Sequence, residues 1–261
     1  MTNASIHASA IVDPDAQLGE RVRIGPHAVI GAGVRIGDDC EVGASVVLSG
    51  PLTLGARNRL HAHAVLGEPP QDVSYRDEPT QLVVGDDNTF REFVTVHRAS
   101  TKEAGVTAIG DRNLLMVASH VGHDCQLGND IIIANSSQLG GHVHIDDRAY
   151  ISAACAIHQF VHIGALAMLG GGAIISRDVA PYCMAAGNRA RLRGLNVRGL
   201  KRAGISPASQ RALKAAYRAF FRAGHGTETA IAAIEAGELH HHPEVARFVA
   251  FVRASERGIL R

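Results

Sequence analysis

Large aliphatic residues recur at every sixth position along this chain. From Ile6 the stride reaches Val12, Leu18, Ile24, Ile30, Ile36, Val42, Leu48, Leu54, Leu60 and Leu66, each of them Ile, Leu or Val. It resumes at Val84, Phe90 and Val96, and again from Ile109 through twelve aliphatic positions ending at Ile175. Four residues after each aliphatic the side chain is mostly small or β-branched, as at Ala10, Val22, Ala28, Cys40, Cys125, Ser137, Val143 and Cys155. A period of six matches neither a 3.6-residue turn nor strand alternation. It suits one short strand followed by one corner, with a large and a small apolar residue turned inward. Gly follows seven of the first eleven aliphatics and is expected to take up the corner's unusual dihedrals. Three such units close a triangular coil of 18 residues, and stacked coils pair in parallel, which predicts a parallel β-helix of hexapeptide repeats. Periodicity does not set the hand of the coil.

The period breaks twice. Residues 67–83 carry Asp72 and Glu78 at the aliphatic positions and contain Pro69, Pro70 and Pro79, which marks a first loop. The gap between Val96 and Ile109 marks a second loop at 98–107. Loops thrown from a rigid solenoid are natural binding elements, although tolerated surface insertions look the same in sequence. After Pro181 the pattern becomes helical. Residues 194–203 read as a short helix. Ser206 and Pro207 open a second that runs to about Ala223, Thr227 caps a third, and Pro243 opens a fourth. The expected organisation is a prism over residues 1–187 and a helical domain over 188–261.

Composition adds limits. Formal net charge is +1, from 26 basic and 25 acidic side chains, so no general attraction to nucleic acid or an anionic membrane is expected. Four cysteines without paired spacing suit a reduced, cytoplasmic chain. Met1–Ser5 lacks a basic stretch leading into an apolar run, so no signal peptide is expected, and no segment is apolar enough for an integral membrane span. Six basic residues between Arg189 and Arg202 have no acidic residue among them; they form a solvated face or a clamp for a phosphorylated substrate or an acidic protein.

The candidate chemistry lies among the 15 histidines. Residues 18 apart should stack, which aligns His123, Gly141 and Gln159 in one column and Asp124 with His142 in the next. His158 stacks over Gly140 and Gly122, and His144 pairs with His162. The strip His120, His123, Asp124, Gly141, His142, His158 and Gln159 suggests a general base beside a backbone oxyanion donor bared by glycine. Taken singly, a surface histidine on a solenoid is usually just solvated. His120-x-x-His123 and His158-x-x-x-His162 resemble zinc spacings, but no Cys or third His stands at ligand spacing nearby, so no metal is expected. His240–His242 reads as a solvated loop. Gly31-Ala-Gly33 lies inside the six-residue frame with no following helix and is not a dinucleotide loop. Gly170–Gly172 opens a groove or forms a plain corner.

Together these residues resemble one family. The segments Ala118-Ser-His120-Val-Gly-His123-Asp-Cys125, Gly141-His142-Val143, His158-Gln-Phe160, Gly187-Asn188, Gly194-Leu-Asn196-Val-Arg-Gly-Leu-Lys-Arg202 and Gly67-Glu68 with Gln71-Asp72 are similar to the UDP-N-acetylglucosamine acyltransferases of lipid A biosynthesis, from Ile6 to Arg261. The resemblance implies a left-handed coil, a homotrimer and clefts between neighbouring prisms. It implies transfer of a 3-hydroxyacyl chain from acyl carrier protein to the sugar 3-hydroxyl, with no cofactor beyond the carrier's phosphopantetheine. By the same resemblance His123 is the base, Asp124 orients it and the Gly141 amide holds the oxyanion. His120, His142, His158, Gln71, Asp72 and Gln159 position the substrates, Asn196 and Arg202 meet the uridine diphosphate, and Gly171 sets acyl length. Arg198, Ala203 and Ser74 depart from the family pattern. A 3-amino UDP-sugar acceptor and an acyl-CoA donor stay open as alternatives.

Overall fold

The computed structural model describes residues 3–261; Met1 and Thr2, part of the stretch read for a leader, lie outside the described residues. Short strands, most of two residues, pair in parallel into three sheets of eleven, nine and eight strands. The first face runs from Ser5–Ile6 to Cys183–Ala186 and Arg191–Leu195, the second from Ile11–Val12 to Ile174–Ile175, and the third from Gln17–Leu18 to His162–Ile163. Register advances by one coil at a time, as in Ser5↔Arg23 and His144↔His162. The step lengthens at Arg59↔Thr89, across the first loop, and at Thr95↔His120, across the second.

The stride residues form the core: Ile30, Leu48, Leu66, Leu115, Ile133 and Ile151 are buried. Ile6 is 46% exposed because no coil covers it from below. A buried ladder of Asn58, Asn88 and Asn113 runs through the middle coils, each side-chain oxygen accepting from a main-chain N–H of the next coil. Strands Val65–Glu68 and Gln81–Val84 reach into the first loop, and Val106–Ile109 into the second, so the chain leaves the coil over 69–80 and 98–105.

Glycine's part differs from the expectation. The corners that need positive φ are filled largely by other residues, including Arg21, Asp39, Arg57, Asp124, His142 and Phe160. The glycine after the aliphatic instead permits close approach between coils. A Cβ on Gly37 would sit 2.6 Å from the carbonyl carbon of Gly55, nearer than van der Waals contact allows. At the corner between the third and first faces, the positive-φ residues alternate in charge. Arg21 with Asp39, Arg57 with Asp87 and Arg112 with Asp130 form two-pronged pairs between coils at 2.7–3.0 Å. These pairs are half exposed and each is worth little.

Beyond residue 187 the sheet continues. Arg191–Leu195 folds back antiparallel on Cys183–Ala186, so the short helix expected from residue 194 is confined to α1, Val197–Arg202. Then come α2 (Pro207–Phe221), α3 (Thr227–Glu235) and α4 (Pro243–Ala254). Ser206 caps α2 through Oγ to Ser209 N at 3.1 Å, with proline in the first turn. The cap of α3 is Gly226, and Thr227 is already helical. Asp178 ties this bundle to the prism, accepting from His162 N at 2.8 Å and from Ser255 Oγ at 2.6 Å. No helix is long and apolar enough to cross a membrane. All four cysteines are free and buried.

Candidate active site

The corner between the second and third faces is built from residues 122–125 and their stacked counterparts. His142 N donates to His123 O at 2.9 Å and Phe160 N to Gly141 O at 3.1 Å, so His123, Gly141 and Gln159 do form one column. The His123 ring lies across Gly141: a Cβ there would sit 2.6 Å from Cε1 and 2.7 Å from Nε2. Gly140 and His142 spend their N–H groups on Ile157 O and His123 O, whereas the Gly141 N–H has no acceptor among the described residues. An amide left unpaired beside an imidazole is available to a ligand oxygen.

Asp124 is fully buried behind that ring, with Oδ2 2.7 Å from His123 Nδ1. Burial works to raise its carboxyl, but hydrogen bonds from His123 and from the amide and hydroxyl of Ser100 outweigh it and hold the group below the usual carboxylate range. An ionised carboxylate only accepts, so His123 Nδ1 is the donor, and in the neutral imidazole the lone pair then falls on Nε2. His142 packs edge-on against His123, centroids 5.1 Å apart, and stacks face to face on Phe160 at 4.3 Å. Its Nε2 is 3.7 Å from Asp124 Oδ2, and its Nδ1 lies 3.0 Å from Glu103 Oε1. His142 is buried and buttresses the His123 ring.

His120 sits beside this dyad on the second face, with Nδ1 2.8 Å from Thr95 Oγ1 and its ring 5.2 Å from His97. Burial first, then the neighbouring His97 and His123, push His120 down to about 4, so it stays a neutral donor or acceptor at pH 7. His97 is lowered by burial too.

The two loops meet at the same corner. Lys102 Nζ donates to Asp72 Oδ2 at 2.6 Å, while Asp72 Oδ1 accepts from Ser74 N and Oγ. Lys102 first, then Ser74, hold the Asp72 carboxyl well below the usual range. Gln71 is exposed on the same loop.

The other expected residues stand apart within one chain. His158 is exposed, with Nδ1 3.3 Å from an Arg257 nitrogen, and Gln159 is exposed next to it. Gly171 lies at the opposite edge of the second face, where a methyl group would meet only Ala153 O, at 3.5 Å. Asn196 and Arg202 line a cavity of about 720 Å³ against the first face, together with Arg148, Tyr150, Met168 and Arg198. Asn196 Nδ2 donates to Leu166 O at 2.9 Å and Oδ1 accepts from Gly199 N at 3.0 Å, which caps α1. Arg198 and Arg202 form no ion pair among the described residues.

Sequence reading missed His97, Ser100, Lys102 and Glu103. The seven residues that the second loop adds conceal them: once the register Val96↔Val121 is known, His97 falls beneath Gly122 in the same strip.

Comparison with known proteins agrees with the coil and identifies the family. Residues 178–260 match a family model described as UDP-N-acetylglucosamine O-acyltransferase, domain 2, and residues 3–37 match the bacterial transferase hexapeptide model. An acyl-[acyl-carrier-protein]–UDP-N-acetylglucosamine O-acyltransferase of Burkholderia orbicola is 49% identical over 98% of this chain and 99% of its own. One from an Anaeromyxobacter species is 51% identical over 98% and 100%. Among solved structures, LpxA from Acinetobacter baumannii superposes with a TM-score of 0.96 at 38% identity over 98% of this chain and 99% of its own. The Arabidopsis UDP-N-acetylglucosamine acyltransferase gives 0.86 at 36%, over 98% and 100%. The fold is therefore the left-handed parallel β-helix with a small helical domain, and the chain belongs to the family of acyl-[acyl-carrier-protein]–UDP-N-acetylglucosamine O-acyltransferases.

Proposed function

We propose that this chain transfers a 3-hydroxyacyl group from acyl carrier protein to the 3-hydroxyl of UDP-N-acetylglucosamine, the first step of lipid A assembly. Nearly full-length relatives named for the acyl-carrier-protein and UDP-N-acetylglucosamine activity support the reaction class. The observation that carries the mechanism is the His123–Asp124 dyad laid across Gly141, whose N–H has no acceptor among the described residues.

His123 Nε2 takes the proton of the sugar hydroxyl as that oxygen attacks the thioester carbonyl. Charge gathers on the carbonyl oxygen of the tetrahedral intermediate, where the Gly141 amide donates to it. Asp124 at Nδ1 stabilises the imidazolium formed in this step. The intermediate collapses, the carbon–sulfur bond breaks, and the departing pantetheine sulfur takes the proton back from His123. A thioester is already activated, so the chemistry asks for no metal and no bound cofactor.

The reading includes a homotrimer. The cavity with Asn196, Arg198 and Arg202 is on the first face, across the triangular section from the corner holding His123. One chain cannot offer both to one nucleotide sugar, but a neighbouring copy can. Asn196 and Arg202 then address the nucleotide, Asp72, Gln71, His120, His158 and Gln159 the sugar and pantetheine, and Gly171 leaves room for a long acyl chain. The proposed location is the cytoplasm, where acyl carrier protein is made.

One rival rests on the compactness of the cluster, since ligand-capable atoms of His123, Asp124 and His142 fall within 4.8 Å of one another. A resident metal predicts stoichiometric zinc by elemental analysis and loss of turnover with chelator. The acyl-transfer reading predicts neither. The direct test is mass spectrometry of the product formed from UDP-N-acetylglucosamine and mixed 3-hydroxyacyl carrier proteins, with acyl-CoA and a 3-amino UDP-sugar as competitors. His123→Ala should keep the fold and assembly and lose most transfer. Near-normal turnover by that variant would overturn the assignment of the base.

A further inference from the structure

The second loop is more than an insertion. Arg98 staples its start, donating to Gly50 O at 3.1 Å and Gly67 O at 3.0 Å, and two residues later Ser100 is buried. Both donors of Ser100 go to one atom. Its N–H and its Oγ reach Asp124 Oδ2 at 3.0 and 2.7 Å, the same oxygen that faces His123 Nδ1 at 2.7 Å. The other carboxylate oxygen, Asp124 Oδ1, is buried and has no hydrogen-bond partner among the described residues. The direction of the hydroxyl is also fixed, because Lys102 N donates to Ser100 Oγ at 3.3 Å and leaves the Ser100 proton for the carboxylate. The backbone of Asp124 is held as well: it sits at φ 61° and its N–H donates to Thr107 Oγ1 at 2.8 Å.

We propose that Ser100 is a positioning residue of the acyl-transfer site, selecting which Asp124 oxygen meets the base and holding it in line with His123 Nδ1. This rests on His123 being the general base. A free carboxylate can turn about its Cβ–Cγ bond, and each turn breaks the alignment that keeps the imidazole in the reactive tautomer. Three donors converging on one oxygen remove that freedom. They also spread the carboxylate's charge, which lowers its pull on the His123 proton. Other titratable groups face the dyad: His142 at 3.7 Å from Asp124 Oδ2, Glu103 against His142 Nδ1, and the neutral pair His97 and His120. Lys102 is engaged with Asp72.

The test compares Ser100→Ala, Ser100→Cys and Ser100→Thr with the parent and with His123→Ala, measuring kcat and KM from pH 5 to 9 on the assembled protein. Ser100→Ala should lose about tenfold or more in kcat with KM little changed, as expected for one lost hydrogen bond to a charged group. The acid limb of its kcat/KM profile should move to higher pH, because a less-solvated carboxylate favours the imidazolium. Ser100→Thr, which keeps the hydroxyl, should restore both within about twofold, and Ser100→Cys, a weak donor, should fall between. Parent-like kcat with an unmoved acid limb in Ser100→Ala overturns the proposal. So does Ser100→Thr as impaired as Ser100→Ala, since packing rather than the hydroxyl would then be responsible. If Ser100→Ala does not assemble, the Thr and Cys variants still give the ordering. An active His123→Ala would sink the base assignment itself. An inactive His123→Ala beside an unaffected Ser100→Ala would sink only the role of Ser100.

Discussion

A methyl group on Gly141 would lie 2.6 Å from Cε1 of His123, well inside contact distance. The glycine therefore does two things at once: it gives the imidazole a floor to lie on, and it presents an N–H that nothing among the described residues takes.

Gly141→Ala should accordingly displace the His123 ring and misalign the oxyanion donor together. The expected loss is about 10² or more in kcat, the scale of one removed oxyanion donor. The cost in stability should be small, because the three atoms nearest the added Cβ all belong to the His123 side chain, which can give way, and none to the main chain. Steady-state kinetics and a thermal melt read the two separately. Full activity in a folded Gly141→Ala would mean that neither ring placement nor the amide matters.

How much of this was legible follows from the register. The column His123–Gly141–Gln159 could be drawn from sequence because the coil period is unbroken above residue 109. Below it, the second loop shifts the register, so His97 and Ser100 gave no periodic sign of belonging to the site. The glycine positions are visible in the sequence, but their physical reason is not the corner dihedral. Corner dihedrals are met by Arg21, Asp124 and His142, and the glycine is needed where a neighbouring coil comes too close for a Cβ. The short strand Arg191–Leu195 was invisible because it pairs antiparallel and carries no six-residue frame. Asn196 and Arg202 are candidates by family likeness alone, since nothing periodic connects the first face with the His123 corner.

The buried histidines predict how stability changes with pH. His120 titrates at about 4 in the fold against ~6.5 unfolded, and burial lowers His97 and His144 in the same direction. Between those pH values the unfolded chain binds more protons than the folded one, so stability is full above about pH 6.5 and declines as pH falls toward 4. The His120 share is bounded at about 3 kcal/mol. The depressed carboxyls of Asp124 and Asp72 act in a lower window, contributing stability above about pH 4 and losing it below. Urea midpoints should therefore fall between pH 7.5 and 5, and His120→Asn should flatten that fall. An identical pH slope in the variant would show that His120 is not held neutral by its surroundings.

The two residues proposed to meet the nucleotide in the first-face cavity differ in how far they also serve the fold. Asn196 is buried, caps α1 and donates to Leu166 O, so its amide is already engaged twice. Asn196→Ala removes a helix cap, worth about 0.5–2 kcal/mol, and strands a buried carbonyl. Its melting temperature should drop by a few degrees before any nucleotide is added. Arg202 is exposed, makes no ion pair among the described residues, and lines the same cavity. Arg202→Ala should melt like the parent, within about 0.5 kcal/mol, yet raise KM for the UDP-sugar by about tenfold at low salt. Added salt should narrow that gap, because screening weakens the parent's contact and leaves the variant nothing to lose. If Arg202→Ala keeps the parent KM at every ionic strength, the cavity does not hold the diphosphate, and the nucleotide must be sought elsewhere along the prism.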